Sequence, residues 1–183
     1  MLIRKQINKL LSSYYNQPHN AVVGSIPLQG YENDAINFRS IFGEWHWRRI
    51  YQGLYEKQAG QWLTPVELFQ PYYSNIIANF IAAEMNKVRK SGENDRSIDI
   101  VELGGGRGTN CLCILDHLQN KYPDVYENIE SYTIMDSSTT LLNLMKQVLL
   151  ENDSPRHRDK VIVKEVDMMD IAESRSVLIV KYN

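Results

Sequence analysis

Hydrophobic residues recur along the chain in several rhythms, and each predicts an element. Near the amino terminus Leu2, Ile3, Ile7, Leu10 and Leu11 fall near one face of a helix, followed by Ser12 and Ser13. Residues 16–34 are polar and hold Pro18, Gly24, Pro27 and Gly30, the composition of a linker or irregular arm before the folded part. Over 35–55 aromatic residues dominate, and Phe38, Phe42, Trp45 and Tyr55 recur at spacings compatible with a helical stripe. Arg48 and Arg49 lie beside Trp45 and Trp47, a mixture that grips a peptide or stacks on a base in some proteins. Core packing with solvated arginines is the commoner meaning and the one expected here. His46, with no second metal ligand one helical turn away, receives no role.

The clearest helix start is Thr64. Its hydroxyl can cap, Pro65 suits the first helical position because its missing N–H costs nothing there, and Glu67 completes a T-x-x-E capping box. Tyr73, Ile76, Ile77, Phe80, Ile81, Met85 and Val88 then recur at i, i+3, i+4 spacing up to Lys87, Arg89, Lys90 and the stop signal Gly92. Pro71 should kink or restart this helix.

Beyond a polar loop at 91–97 the rhythm changes. Ile98, Ile100, Val101 and Leu103 form a short apolar run that ends in glycines, and an apolar periodic stretch covers 111–118. A second run at 132–135 ends in Asp136 and is followed by Leu141, Leu142, Leu144, Met145, Val148 and Leu149 at helical spacing. Residues 160–166 are rich in β-branched side chains, and 177–182 form a final apolar run. Strands alternating with helices imply an α/β fold, a parallel sheet with right-handed crossovers whose ligands bind at the carboxyl ends of the strands.

Composition narrows the class. The chain has 183 residues, enough for one domain with an appendage, and 43% apolar with 23% charged residues is the balance of an ordinary globular protein. The net charge of −2 gives no electrostatic reason to seek nucleic acid or an anionic membrane. No run approaches the roughly 20 apolar residues that span a bilayer. Cys111 and Cys113 are too few and too close for a disulfide framework or a complete zinc site, so a reducing compartment is the natural home and no metal site is read. Residues 1–31 nevertheless hold Arg4, Lys5 and Lys9 and no acid. Basic, amphipathic and acid-free describes a mitochondrial transit segment; the alternative is a first helix that docks on the domain.

The most informative stretch is Glu102-Leu103-Gly104-Gly105-Gly106-Arg107-Gly108-Thr109. A glycine loop directly after a strand lets the backbone turn sharply and approach a ligand at contact distance. A dinucleotide fingerprint, G-x-G-x-x-G, would need a glycine where Thr109 stands, and no Lys-Ser or Lys-Thr completes a phosphate-cradling loop. What remains is acid-x-G-x-G-x-G. The acid suits a ligand with a positive charge, and Asp136 at the end of the next strand is placed to accept hydrogen bonds from ribose hydroxyls. Asp167, after the third strand, either reaches an adenine amino group or simply forms a turn.

Residues 101–109 resemble the first motif of class I S-adenosylmethionine-dependent methyltransferases, and the added Arg-Gly-Thr is similar to the MidA-like family, which includes a mitochondrial protein arginine methyltransferase involved in assembly of respiratory complex I. Gly60-Gln61-Trp62-Leu63-Thr64-Pro65-Val66-Glu67 is similar to that family's segment ahead of the fold, and Met135-Asp136-Ser137-Ser138-Thr139-Thr140-Leu141 to its second-strand motif, with Asp136 in place of a glutamate. The resemblance implies a Rossmann-like methyltransferase sheet and S-adenosylmethionine as cofactor. Glu102, Gly104, Gly106 and Gly108 would line its methionine and ribose part, Asp136 would hold the ribose, and Thr64 and Glu67 would contribute to the roof of the site. It also implies a protein substrate, arginine as the methyl acceptor, a link to complex I and a mitochondrial rather than cytoplasmic location.

On this reading 1–31 is a transit segment or arm, 32–96 a helical region, and 97–183 the amino-terminal half of the methyltransferase domain, since the chain ends inside its fourth strand. An incomplete sheet with an open edge and an uncovered apolar face is therefore expected, and no catalytic residue is assigned. Two other readings stay open: a cofactor-binding or assembly module without turnover, and a nicotinamide-dependent oxidoreductase.

Overall fold

The structure is a computed structural model and is described over residues 2–16, 21–26, 36–56, 61–90, 97–150, 157–166 and 181–182. In chain order, helix α1 spans Leu2–Tyr15; a 3-10 turn at Phe38–Ser40 precedes α2 (Glu44–Glu56); α3 (Pro65–Leu68) and α4 (Tyr72–Lys90) lead into strand β1 (Ile98–Leu103). Then follow α5 (Thr109–Lys121), α6 (Pro123–Glu127), β2 (Ile129–Asp136), α7 (Thr139–Leu149), β3 (Val161–Glu165) and β4 (Lys181–Tyr182). One sheet runs in the order β3-β2-β1-β4. Its first three strands are parallel, as expected of a Rossmann-like α/β fold preceded by a helical region.

β4 corrects one expectation. It lies beside β1 but pairs antiparallel, Ile98 with Tyr182 and Asp99 with Lys181, where a parallel strand is expected. A parallel neighbour would need a crossover back to the amino end of the sheet, whereas a strand running from the carboxyl end toward the amino end needs none. The rest of the run at 177–182 lies outside the described residues.

The helices follow their signals. Pro71 restarts the helix as expected, α3 ending at Leu68 and α4 beginning at Tyr72 and closing on Lys87, Arg89 and Lys90. α4 packs Ala78, Ile81, Ala82 and Met85 into the main core with Ile98 and Ile100 of β1, Leu115 and Leu118 of α5, Ile134 of β2 and Met145 of α7. At the amino end of the sheet the buried His157 bonds Tyr126 and Asp116, each at 2.8 Å, and so fixes the approach to β3.

The aromatic stripe does not form as predicted. Gly43, at φ +105, separates the Phe38 turn from α2, so the helical phase is not continuous. Phe42 and Trp45 end up 78% and 66% exposed. Instead Phe38 and Trp47 each stack on Phe69 and tilt against one another, and Trp47 and Tyr55 pack against Ile26, Leu63 and Leu68 in a second, smaller core. Arg48 is solvated and pairs with Glu44 one turn earlier.

The described part of the expected arm is irregular but built in. Ala21, Val22, Val23 and Ile26 are buried, and Val23 pairs with Trp62 in an isolated bridge. On the sheet, Val101, Leu103 and Met135 are only half-buried and Ile162 is exposed, the face that alternates with the core side.

Among the glycines described, a Cβ would meet its neighbours most closely at Gly105. A Cβ there would overlap Ile134 Cγ2 and touch Met145 Sδ, so the loop lies against β2 and α7 only because the residue is glycine. Gly105→Ala should lower stability by about 1–3 kcal/mol through overpacking. Gly53→Ala, in α2 with open space around the new methyl, should raise it by about 0.5–1 kcal/mol. Urea midpoints of the two variants check both signs.

Candidate functional site

β1 ends in Glu102 and Leu103, and the chain then turns through Gly104, Gly106 and Gly108, at φ +72, +59 and +84. All three occupy the left-handed region that side chains disfavour, which is the conformational reason for the alternating glycines. They differ in what surrounds them. A Cβ on Gly104 or Gly106 would meet nothing within 4 Å, so that side of the loop is open; on Gly108 it would come within 2.8 Å of Leu149 Cδ1. Gly108 also begins α5 and leaves its first N–H groups without a side-chain cap.

Glu102 is the hub beneath the loop. Its Oε1 accepts from Asn110 Nδ2 at 2.8 Å and its Oε2 from the Tyr132 hydroxyl at 3.0 Å. Asn110 in turn accepts from the buried Ser74 hydroxyl at 2.8 Å. Burial pushes the Glu102 carboxyl above its ordinary value of 4.5, the bonds from Asn110 and Tyr132 oppose that rise, and the nearby charge of Asp136 adds to it. Beside Glu102, the Tyr132 hydroxyl and the Cys111 thiol are both pushed well up, chiefly by burial.

Asp136 closes β2 and is buried. Its Oδ1 accepts the Ser138 N–H at 2.9 Å, and the N–H groups of Ser137 and Gly106 also pull its pKa down against the larger upward push of burial. The second-strand acid and the middle glycine of the loop thus come together. Ser138 caps α7 through Leu141 N–H and donates its hydroxyl to the Tyr15 carbonyl at 2.8 Å.

Thr64 does cap α3, accepting the Glu67 N–H at 3.4 Å, but only half of the capping box forms. Glu67 does not reach back. Its side chain turns to the glycine loop, where Oε1 accepts from the Thr109 hydroxyl at 2.5 Å. Glu67 is 2% exposed, and its Oε2 has no hydrogen bond among the described residues. Burial raises its pKa, opposed by Thr109, by the Arg107 charge and by the Ile26 backbone. Arg107 donates to the Val23 carbonyl at 3.0 Å, tying the loop to the amino-terminal segment.

Glu102, Gly104, Gly106, Gly108, Asp136 and Glu67 therefore gather at the carboxyl ends of β1 and β2, while Thr64 stands one turn away as a cap. Asp167 lies outside the described residues. Four residues that hold the site had no place in the sequence reading of it: Asn110, Tyr132, Ser138 and Gly105. Strand alternation offered a signal for Tyr132, since it pairs with Ile100 and so shares a face with Glu102. Among the described residues no group of three His, Cys, Asp or Glu side chains could hold a metal ion, and no helix is long and apolar enough to cross a membrane.

Residues 76–180, more than half of the chain, match the family described as "Putative S-adenosyl-L-methionine-dependent methyltransferase". The chain belongs to this methyltransferase family. No curated protein and no solved structure matches it. S-adenosylmethionine is thus the expected cofactor of this family member, and the open side of Gly104 and Gly106 is the kind of cradle that a Cβ would fill.

The buried acids set a pH dependence. A carboxyl whose pKa is raised by folding binds more protons folded than unfolded, so stability falls as pH climbs from about 4.5 through the raised value. Glu67→Gln keeps an acceptor for Thr109 and removes the charge. The variant should melt higher than the wild type at a pH of about 8, and the gap should close at about pH 4, read by thermal denaturation.

Proposed function

We propose that this chain binds S-adenosylmethionine across the glycine loop and transfers its methyl group to an arginine side chain of a protein, in the service of respiratory complex I assembly. The observation that carries the cofactor reading is the pairing of two acids, the half-buried Glu102 and the buried Asp136, on either side of a loop whose left-handed Gly104 and Gly106 leave open space. The acceptor, the complex I link and a mitochondrial location are supported by the resemblance of 60–67 and 101–109 to the MidA-like family.

When bound, the cofactor supplies a methyl group on a sulfonium centre open to in-line attack. The chain's own residues bind and orient. Gly104 and Gly106 allow the backbone to come within contact distance, and the uncapped N–H groups at the start of α5 favour a carboxylate. Glu102 has lone pairs to spare beyond those used by Asn110 and Tyr132, and offers them to a cation. Asp136 accepts from ribose hydroxyls. Its raised pKa and that of Glu102 mark charge held out of water, which a cationic ligand relieves. Alignment and exclusion of water then carry the rate.

Titration calorimetry tests the reading. S-adenosylmethionine should bind the full chain, Gly106→Val should abolish binding, and Asp136→Ala should weaken it by about 1–3 kcal/mol, with circular dichroism confirming that the variant folds. Because the ligand favours ionised Glu102, affinity should fall as pH is lowered through that group's raised pKa, with proton release visible as buffer-dependent heat. A labelled-methyl assay on an arginine-rich peptide reads transfer. Binding without transfer would identify a cofactor-binding module, and NADH binding sensitive to Gly106→Val would identify an oxidoreductase.

A further inference from the structure

A cleft of about 510 Å³ lies between α1 and the carboxyl ends of β2 and β3. Lys9, Ser12 and Asn16 line it from the helix side, and Ser137, Glu165 and Val166 from the sheet side. Its volume is that of a small-molecule site, and its place is the crevice where α/β sheets take ligands. Two further observations bear on what it holds. The Asn16 amide donates to Ser12 Oγ at 3.3 Å, while its Oδ1 is buried with no hydrogen bond among the described residues. A buried acceptor without a partner is destabilising until a donor reaches it. In addition, α1 is joined to the proposed ribose acid by a short relay. Asp136 Oδ1 accepts the Ser138 N–H, and the Ser138 hydroxyl donates to the Tyr15 carbonyl at the end of α1.

We propose that α1 is a wall of the cofactor site: it closes the adenosine half of the crevice, Asn16 Oδ1 accepts an N–H from the purine, and cofactor binding and helix docking stabilise each other. This rests on the reading of the glycine loop as a cofactor site and on α1 as the docked first helix rather than a cleaved transit segment. Tyr15 packs against the main core, while Ile3, Ile7 and Leu10 stay exposed, so the helix is anchored mainly at its carboxyl end. An element with so few buried contacts opens at low free energy, and a ligand that touches only the docked form shifts it toward that form. The cleft is roomy, so the docked helix lines the ligand's place without filling it.

Hydrogen exchange on the full chain, with and without S-adenosylhomocysteine, tests the proposal. At a hundredfold excess over Kd the amides of residues 8–16 should exchange up to about a hundredfold more slowly, together with those of residues 104–109. Asn16→Ala should weaken S-adenosylhomocysteine five- to tenfold, while Lys5→Ala leaves it unchanged. Protection of 104–109 with none at 8–16, and wild-type affinity in Asn16→Ala, would overturn the role of α1 while leaving the cofactor site standing. No binding and no protection anywhere would overturn the cofactor site, and this inference with it.

Discussion

A carboxylate held largely out of water has to be met by donors, and Glu102 draws them from two neighbouring elements, with a third standing behind. Tyr132 reaches it from β2 and Asn110 from α5, and Ser74 of α4 holds Asn110 in place. The requirement to satisfy one charge therefore fixes how two strands and two helices meet at the carboxyl end of the sheet. The glycine loop starts two residues later and inherits that geometry. Gly105 then presses against Ile134 and Gly108 against Leu149, so the loop is pinned from below while Gly104 and Gly106 stay open above.

Three acids ring this loop, Glu67 and Asp136 buried and Glu102 half-buried, and folding raises the pKa of all three. At Glu67 the Thr109 hydroxyl and then the Arg107 charge lower that cost, and the Arg107 guanidinium also serves the Val23 carbonyl. A fold that needed only a tight turn would gain by replacing such acids with neutral side chains. Their presence beside an open backbone cradle is the electrostatic signature of a site shaped for a polar, partly cationic ligand. The membership in a methyltransferase family gives that ligand its chemistry.

Much of this architecture was legible in residue order, for reasons that differ by element. β1, the glycine loop and α5 announced themselves because an apolar run, a break in allowed φ and a helical period follow one another without gaps. Asp136 was readable because strand ends present acids to ligands in such sheets. Glu67 was legible only in part: T-x-x-E is a local signal, and the bond to Thr109 that overrides its second half joins residues far apart in sequence. The aromatic stripe failed because Gly43 resets the helical phase. The direction of β4 was invisible because hydrophobic pattern specifies which segments enter a sheet but not from which end. The buried residues of 21–26 look like a linker by composition, yet Arg107 and Trp62 recruit that segment through its backbone.

The central claim is that the glycine loop is a cofactor cradle. The chain has ten glycines, so selective 15N labelling of glycine gives a spectrum simple enough to assign. On titration with S-adenosylmethionine the account predicts shifts concentrated at Gly104, Gly105, Gly106 and Gly108, with Gly43 and Gly53 unmoved. Saturating cofactor that leaves the four loop glycines in place, or equal shifts with NADH, would contradict it.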